Sequence, residues 1–229
     1  MIHFLGSSYA AVTLKEGARR RGLKITEDIN EAELIFVSED TPTDEDGNRD
    51  LAPIVDLINN CPSVITLVIT SQVTPGFTRS IQHRGAVYHQ AETLRIEDGM
   101  QRAMYPEMFI VGMGEFDIAR EEIRPAYRKY LDAFECPVLK MSFEEAEFCK
   151  IAINAFLISQ VETTNMLAEC AHKVGADWAN IAKALRHDSR IGKYAYLTPG
   201  FWSNSKHLLR DYVTLDEIEP SVLLDAWRP

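Results

Sequence analysis

A basic run in the last quarter of the chain carries a histidine whose neighbours could support chemistry. The segment PGFWSNSKHLLRD, residues 199–211, places Lys206 directly before His207 and puts Arg210 and Asp211 within four residues after it. An imidazole in this setting can act as a general acid or base, bind an anion together with the flanking cations, or have no chemical role. The residues of the run leave all three interpretations open.

A glycine turn follows the first apolar stretch, IHFL. The turn GSSYAA, residues 6–11, lies where a dinucleotide-binding strand, turn and helix would carry G-x-G-x-x-G/A. Gly6 is intact and Ala11 is an accepted third residue. Ser8, however, brings a Cβ to the position where glycine lets the backbone approach a pyrophosphate. The turn therefore fits either a cofactor site or an ordinary strand-to-helix connection.

Two groups of acidic residues could bind a ligand. Glu27 and Asp28 lie about 20 residues after the turn, where a dinucleotide site carries its ribose-binding acid, although either can equally be a solvated loop charge. The run DEDGNRD, residues 44–50, is similar to a calcium loop, but EF-hand spacing would need an oxygen ligand at Pro42. No histidine, cysteine and carboxylate group has zinc spacing. We therefore expect no metal.

A stretch without glycine or proline predicts one long helix over 142–174. Ser142 and Glu145 have the spacing of a capping box, and Gly175 is a suitable residue just beyond the C-terminus. A helix of about 31 residues is roughly 46 Å long, more than a small domain can cover. We therefore expect it to pack against a second subunit or a second domain.

Three polar side chains of this helix point in similar directions. Lys150, Asn154 and Asn165 fall within an arc of about 60° at about 100° per residue. Such a stripe indicates either a lined cleft or a solvated face, since Glu147 and Glu162 show that the helix also carries charge.

The composition excludes some classes of partner. The chain has 229 residues, of which 46% are hydrophobic and 25% charged, and its formal net charge is −10. Because an acidic surface repels phosphate backbones and anionic lipids, we expect neither nucleic acid nor a membrane as partner. No signal peptide or transmembrane stretch is predicted, and the 4 cysteines are scattered. Free thiols are typical of a reducing compartment, so we expect a cytoplasmic protein.

Short apolar strands alternate with helical segments over the first part of the chain. A helix follows the glycine turn and ends near Gly22, and another spans 50–60. This alternation predicts an α/β fold, a parallel sheet with helices on both faces. After Pro137 the pattern becomes helical, with a further helix over 176–185 and a loop-rich tail from His187 onward. The predicted strands are IHFL, LKIT, Leu34–Val37, Val64–Thr70, Val87 and Phe109–Gly112.

Taken together, these segments resemble the UDP-glucose/GDP-mannose dehydrogenase family, the NAD-dependent nucleotide-sugar dehydrogenases. The match is ordered and covers most of the chain, and its most specific parts are TPTDEDG, KxxxNAFL and the frame from RIG to Asp211. The matching segments are GSSYAA, TPTDEDGNRDL, VITSQVTPGFT, AETLR, PEMFIVG, EEAEFCKIAINAFL, NMLAECAHKVGAD and DSRIGKYAYLTPGFWSNSKHLLRD.

The resemblance implies a reaction and a set of site residues. In this family an alcohol is oxidised to an aldehyde, a cysteine thiolate captures the aldehyde, and a second hydride transfer and hydrolysis give the acid while two NAD molecules are reduced. Lys150 and Asn154 match the residues that polarise the reacting oxygen and position water. Glu92 matches the first glutamate of the PEFLRE motif, and Asp211 is retained. The implied cofactor-binding residues are Gly6, Ser8, Tyr9, Ala11, Thr41, Pro42 and Thr43.

Departures from the family pattern concern the chemistry itself. His207 falls on the cysteine of PGxGYGGxCFPKD, and an imidazole cannot form the thiohemiacetal and thioester that a thiolate forms. The glycine-rich loop before it is FWSNSK, whose side chains would fill the space of the sugar. Ile96 and Gln72 replace the second glutamate and a threonine of the family motifs. Cys149 points about 100° away from Lys150, so we do not expect it to substitute.

The resemblance also implies the domain organisation. We expect a compressed Rossmann-like domain over 1–140 and a helical domain over 141–229 whose long helix forms a homodimer, with no counterpart of the family's nucleotide-sugar-binding domain. Three functions remain open. The first is an enzyme that oxidises an alcohol only to the aldehyde. The second is a noncatalytic relative that binds a nucleotide or nucleotide sugar, with Lys206, His207 and Arg210 as an anion site. The third is an interaction module, in which the long helix pairs with itself or with a full-length dehydrogenase.

Overall fold

The computed structural model describes residues 1–120 and 122–220, which divide into two compact units. The first unit comprises residues 1–42 and 49–150. The second comprises residues 43–48 and the chain from residue 151 onward. The domain limits expected from the sequence stay a prediction.

The first unit is built on a six-stranded sheet in which the strands follow one another in chain order. All neighbouring strands are parallel except β4 and β5, which are antiparallel. The predicted α/β fold is therefore confirmed. It differs from the predicted all-parallel sheet in the direction of β5, which runs antiparallel to β4. The strands are β1 (Ile2–Leu5), β2 (Leu34–Val37), β3 (Thr66–Ile69), β4 (Val87–Ala91), β5 (Phe109–Met113) and β6 (Val138–Ser142).

The central strands read as continuous apolar runs because both faces of the sheet are covered. In β2, Leu34 and Phe36 pack into the cluster on one face, whereas Ile35 and Val37 pack into the cluster on the other face. All four side chains are fully buried. The predicted strand LKIT is reduced to one parallel bridge between Ile25 and Ile2 on β1.

The long helix predicted from the sequence is confirmed as α7, Phe143–Lys173, of 31 residues. Its capping box is formed: the Ser142 N–H donates to Glu145 at 2.7 Å, and the Glu145 N–H donates to the Ser142 hydroxyl at 3.3 Å. No helix within the described residues is long and apolar enough to cross a membrane. The other helices are α1 (Tyr9–Arg20), α2 (Ala52–Asn59), α3 (Phe77–Ser80), α4 (Gly99–Met104), α5 (Glu115–Arg120), α6 (Pro125–Asp132), α8 (Trp178–His187) and α9 (Lys206–Ile218).

The second unit contains the greater part of α7 together with α8 and α9. Its apolar cluster has Ile158, Trp202 and Tyr212 at the centre. The prediction of a loop-rich tail is wrong over Lys206–Ile218, where the 13-residue helix α9 forms. The buried face of α9 includes Arg210, Asp211 and Thr214 beside Tyr212. Leu208, Tyr212 and Leu215 have the apolar spacing of a helix, which the prediction of a loop-rich tail did not use.

Candidate functional site

The glycine turn is intact as a connection between β1 and α1. Gly6 has a φ of +122°, and a Cβ at this position would lie 2.3 Å from the carbonyl oxygen of Ser38. Ser8 is the N-cap of α1, and its buried hydroxyl accepts the Ala11 N–H at 3.0 Å and donates to the Ser38 carbonyl at 2.7 Å. The predicted cofactor residues Gly6, Ser8 and Ala11 therefore lie together, with their polar groups bonded inside the turn.

An acidic residue that the sequence analysis did not single out lies against this turn. Glu39, two residues beyond β2, accepts the backbone N–H of Ser7 through Oε2 at 2.8 Å. The Glu39 backbone N–H in turn donates to the hydroxyl of Ser71 at 2.9 Å. The hydrogen bond between Ser7 and Glu39 joins residues 32 positions apart, so no local motif could have predicted it.

The remaining predicted cofactor residues are divided between the two units. The Tyr9 hydroxyl donates to the carbonyl oxygens of Arg95 and Ile96 at 3.4 and 3.3 Å. The Thr41 hydroxyl donates to the Gln72 carbonyl oxygen at 2.8 Å. Pro42 is the last residue of the first unit before the segment 43–48. Thr43 opens that segment, which belongs to the second unit and in which Gly47 contacts α9.

The two candidates for the ribose-binding acid each form a hydrogen bond or ion pair with another residue of the first unit. Glu27 forms an ion pair with Lys15 of α1 at 2.7 Å, and this hydrogen bond lowers the pKa of Glu27. Asp28 caps the short 3-10 turn that follows it, accepting the Asn30 N–H at 2.9 Å. Each carboxylate therefore has a structural partner within the first unit.

Glu92 and Lys150, two of the predicted catalytic residues, lie in the first unit and influence each other. Glu92 follows β4 and accepts the backbone N–H of Leu94. Burial raises the pKa of Glu92, and the charge of Lys150 acts in the opposite direction. Glu92 also lines a cavity of about 30 Å³ that it shares with Gln90 and Arg102, a volume that suits one water molecule.

Asn154 and Asp211, two further predicted catalytic residues, are hydrogen-bonded to each other in the second unit. The Asn154 Nδ2 donates to Asp211 Oδ2 at 2.5 Å. Both side chains are buried, Asp211 completely. This bond links α7 to α9 in the interior of the unit.

His207, at the position of the expected nucleophile, is exposed near the start of α9. The Arg210 guanidinium donates to His207 Nδ1 at 2.9 Å, and a guanidinium has no acceptor to offer. Nδ1 is therefore unprotonated and the ring proton resides on Nε2. Arg210 itself is buried, whereas Lys206 is exposed, so this structure does not present them as a pair of accessible cations.

The segment before His207 fills the interior of the second unit. Trp202 is 4% exposed, lies 5.4 Å from Tyr212 between ring centroids, and donates its indole N–H to Glu162 at 2.6 Å. Phe201, in contrast, is exposed. The prediction that the FWSNSK segment fills the space of a sugar stays a prediction.

Asn165, the third member of the predicted polar stripe, holds a loop rather than lining an open cleft. Its side chain donates to the Gly200 carbonyl oxygen at 2.8 Å and accepts the Gly200 N–H at 2.9 Å. Gln160 and Thr164 bind the backbone of Tyr196 in the same way. These amides and hydroxyls fix the course of residues 196–200 along α7.

Three of the four thiols lie in surroundings that disfavour a nucleophilic thiolate. Burial raises the pKa of Cys61 to about 11 and also raises the pKa of Cys136 and Cys149, which disfavours their thiolates at neutral pH. Cys170 is an exposed free thiol on α7.

Comparison with known proteins shows which family the chain resembles. Residues 144–221 match the central domain of the UDP-glucose/GDP-mannose dehydrogenase family. The UDP-glucose 6-dehydrogenase of Rickettsia bellii is 25% identical over 87% of this chain and 48% of its own length. The chain thus spans less than half of that relative. The resemblance drawn from the sequence is confirmed.

Solved structures support the same fold. A UDP-glucose dehydrogenase from the hyperthermophilic archaeon Pyrobaculum islandicum aligns with a TM-score of 0.80 at 20% identity, covering 99% of this chain and 66% of that one. A UDP-D-ManNAc dehydrogenase from Pyrococcus horikoshii aligns with a TM-score of 0.80 at 15% identity, covering 100% of this chain and 68% of that one.

Proposed function

We propose that this chain, a relative of the UDP-glucose/GDP-mannose dehydrogenase family, is a noncatalytic member of that group that does not carry out four-electron oxidation of a nucleotide sugar. The observation that carries the proposal is the hydrogen bond from Arg210 to His207 Nδ1. It occurs at the position where the resemblance implies a cysteine nucleophile.

An imidazole held in this way cannot replace the thiolate. Histidine can act as a nucleophile only through a nitrogen with a free lone pair. In His207 the lone pair of Nδ1 accepts the Arg210 N–H, and Nε2 carries the proton. Neither nitrogen is therefore available to add to an aldehyde, and no covalent acyl intermediate forms at this residue.

The surroundings of His207 support the same conclusion. A group that reacts with a substrate must be reachable by it, yet Asp211 is fully buried and its carboxylate is bonded to Asn154. Trp202 occupies the interior beside Tyr212. We therefore assign Asn154 and Asp211 to holding α9 against α7, a role in stability rather than in turnover.

A second function, pairing through α7, is favoured by an exposed apolar stripe on that helix. Phe156 is 72% exposed and Met166 57%, and Leu167 is also exposed. The three lie within an arc of about 100° on α7. Large apolar side chains left in water on one face of a helix are typical of an interaction surface. We propose that the partner is a second copy of this chain, so that the protein is a homodimer.

A turnover assay tests the main proposal. The purified chain is incubated with NAD and UDP-glucose or GDP-mannose, and both reduced cofactor and sugar acid are measured, with the Rickettsia bellii UDP-glucose 6-dehydrogenase as positive control. We expect neither product above the rate without protein. Formation of a uronic acid with two reduced cofactors per sugar would overturn the proposal. Reduced cofactor with an aldehyde product would instead support an enzyme that stops after the first oxidation.

A further inference from the structure

The N-terminus of α1 is the place in this fold where a dinucleotide would bind its pyrophosphate. Backbone N–H groups and the positive end of the helix dipole attract an anion at such a turn. The family implies NAD, so the residues of the turn can be tested for their fit to that group. This fit concerns residues of the first unit alone. It therefore does not depend on whether His207 can replace a thiol nucleophile.

A carboxylate of the chain itself already uses this turn. Glu39 Oε2 accepts the Ser7 N–H at 2.8 Å and lies 3.3 Å from the Ser7 hydroxyl. Glu39 Oε1 accepts the backbone N–H of Asp40 at 3.0 Å. Both oxygens of Glu39 are thus engaged, and one of them takes a donor of the turn.

The backbone around Glu39 is fixed from two sides. Its own N–H donates to the Ser71 hydroxyl at 2.9 Å, beyond the end of β3. The preceding residue, Ser38, donates its N–H to the Leu5 carbonyl at 2.8 Å and packs directly against Gly6. The carboxylate is therefore directed toward the turn by contacts with the ends of β1 and β3.

We propose that Glu39 is an intramolecular anion that occupies the dinucleotide turn and excludes a pyrophosphate from it. A pyrophosphate diester carries two negative charges, and it would meet the Glu39 charge while losing the Ser7 donor. Like charges at such short range repel each other, and the helix terminus can favour only a limited amount of negative charge. The residues of the turn therefore do not fit NAD.

The ribose side of the turn agrees with this proposal. In a dinucleotide site an acid about 20 residues beyond the glycine turn binds a ribose hydroxyl, and Glu27 has that spacing. Here Glu27 is paired with Lys15 at 2.7 Å, and the strand before it is reduced to the bridge at Ile25. Two contacts that a dinucleotide needs are thus taken up by the chain itself.

Two substitutions distinguish the effect of the Glu39 charge from the effect of its hydrogen-bond acceptor. Glu39→Gln removes the charge and keeps an oxygen that can accept the Ser7 N–H, whereas Glu39→Ser removes both. Glu45→Gln, at an exposed acid in the segment 43–48, makes the same charge change away from the turn and is the control. Inorganic pyrophosphate is the probe, and its binding is followed through the Ser7 amide in ¹⁵N-labelled protein and by calorimetry.

We expect no saturable binding of pyrophosphate at the Ser7 amide in the wild type or in Glu45→Gln at millimolar concentration. Glu39→Ser should bind it at least tenfold more tightly, with a saturable shift of that amide, and Glu39→Gln should fall between. The spectra report directly that each variant is folded. Equal affinity of the wild type and folded Glu39→Ser would overturn the proposal.

A measurement without ligand provides an independent check. The Ser7 amide shift should differ between the wild type and Glu39→Ser in the absence of any anion, because the carboxylate that accepts this N–H is removed. An identical Ser7 amide shift in the two proteins would overturn the contact on which the proposal rests.

Discussion

Asn154 and Asp211 meet in the interior of the second unit, where the amide of one donates to the carboxylate of the other at 2.5 Å. They lie on different helices, α7 and α9, and are separated by 57 positions in sequence. Because a buried carboxylate is stable only when it is hydrogen-bonded, this pair contributes to holding the two helices together.

Asp211→Ala should therefore lower the free energy of unfolding. The substitution leaves the buried Asn154 amide without this acceptor, which costs about 2–3 kcal/mol. Urea denaturation followed by circular dichroism measures the loss. Glu217→Gln, at an exposed acid on the same helix, is the control and should change stability by less than about 0.5 kcal/mol. Equal stability of Asp211→Ala and the wild type would contradict the role given to this pair.

The pH dependence of stability should contain a contribution from His89. This side chain is fully buried on β4, and burial lowers its pKa from 6.5 to about 4. Above pH 6.5 the ring is neutral in both folded and unfolded chains, whereas between pH 6.5 and 4 the unfolded chain takes up a proton that the folded chain refuses. Stability is therefore lost as the pH falls through this window, by up to about 3 kcal/mol.

His89→Gln isolates this contribution because glutamine does not titrate. The free energy of unfolding of the wild type and the variant is measured by urea denaturation at pH 7.5, 6, 5 and 4. We expect the difference between the two proteins to shift in favour of the variant as the pH falls. Parallel pH profiles for the two proteins would show that His89 does not contribute.

Gly112 of β5 should not tolerate a side chain. A Cβ there would lie 2.9 Å from the Ala146 Cβ and 3.1 Å from the Phe143 Cα, because the first turns of α7 pack directly on the strand. Gly112→Ala should therefore reduce stability by about 1–3 kcal/mol through overpacking. Gly114→Ala is the matched control, since its Cβ would lie 3.8 Å from the nearest Phe143 atoms. Thermal unfolding compares the two, and equal midpoints would argue against close packing at Gly112.

The strong local patterns of the sequence predict much of this fold. The run from 142 to 174 contains no helix breaker and carries a capping box, so α7 was predicted with its start at the correct cap. The apolar runs at Leu34–Val37 and Phe109–Gly112 likewise predict buried strands because both of their faces are covered.

The contacts that the sequence did not reveal are those that join distant residues. The antiparallel direction of β5 could not be predicted, since the connection of residues 92–108 is compatible with either direction. Helix α9 was missed because the prediction followed the flanking prolines, Pro199 and Pro220, and not the helical spacing of Leu208, Tyr212 and Leu215. The role of Glu39 depends on a hydrogen bond to Ser7, which only the pairing of β1 with β2 brings about.

The oligomeric state should depend on the exposed stripe of α7. Light scattering of the wild type should give a mass of about 52 kDa, twice that of the 25.9 kDa chain, because Phe156 and Met166 remove their apolar surface from water only in an assembly. Phe156→Glu places a charge in that surface and should shift the mass to that of a single chain. Val64→Glu, at an equally exposed apolar residue in the first unit, should leave the dimer unchanged.

Two results would contradict this prediction. A wild type of single-chain mass at micromolar concentration would exclude the stripe as a homodimer interface. A dimer that survives Phe156→Glu would place the interface on another surface of the chain.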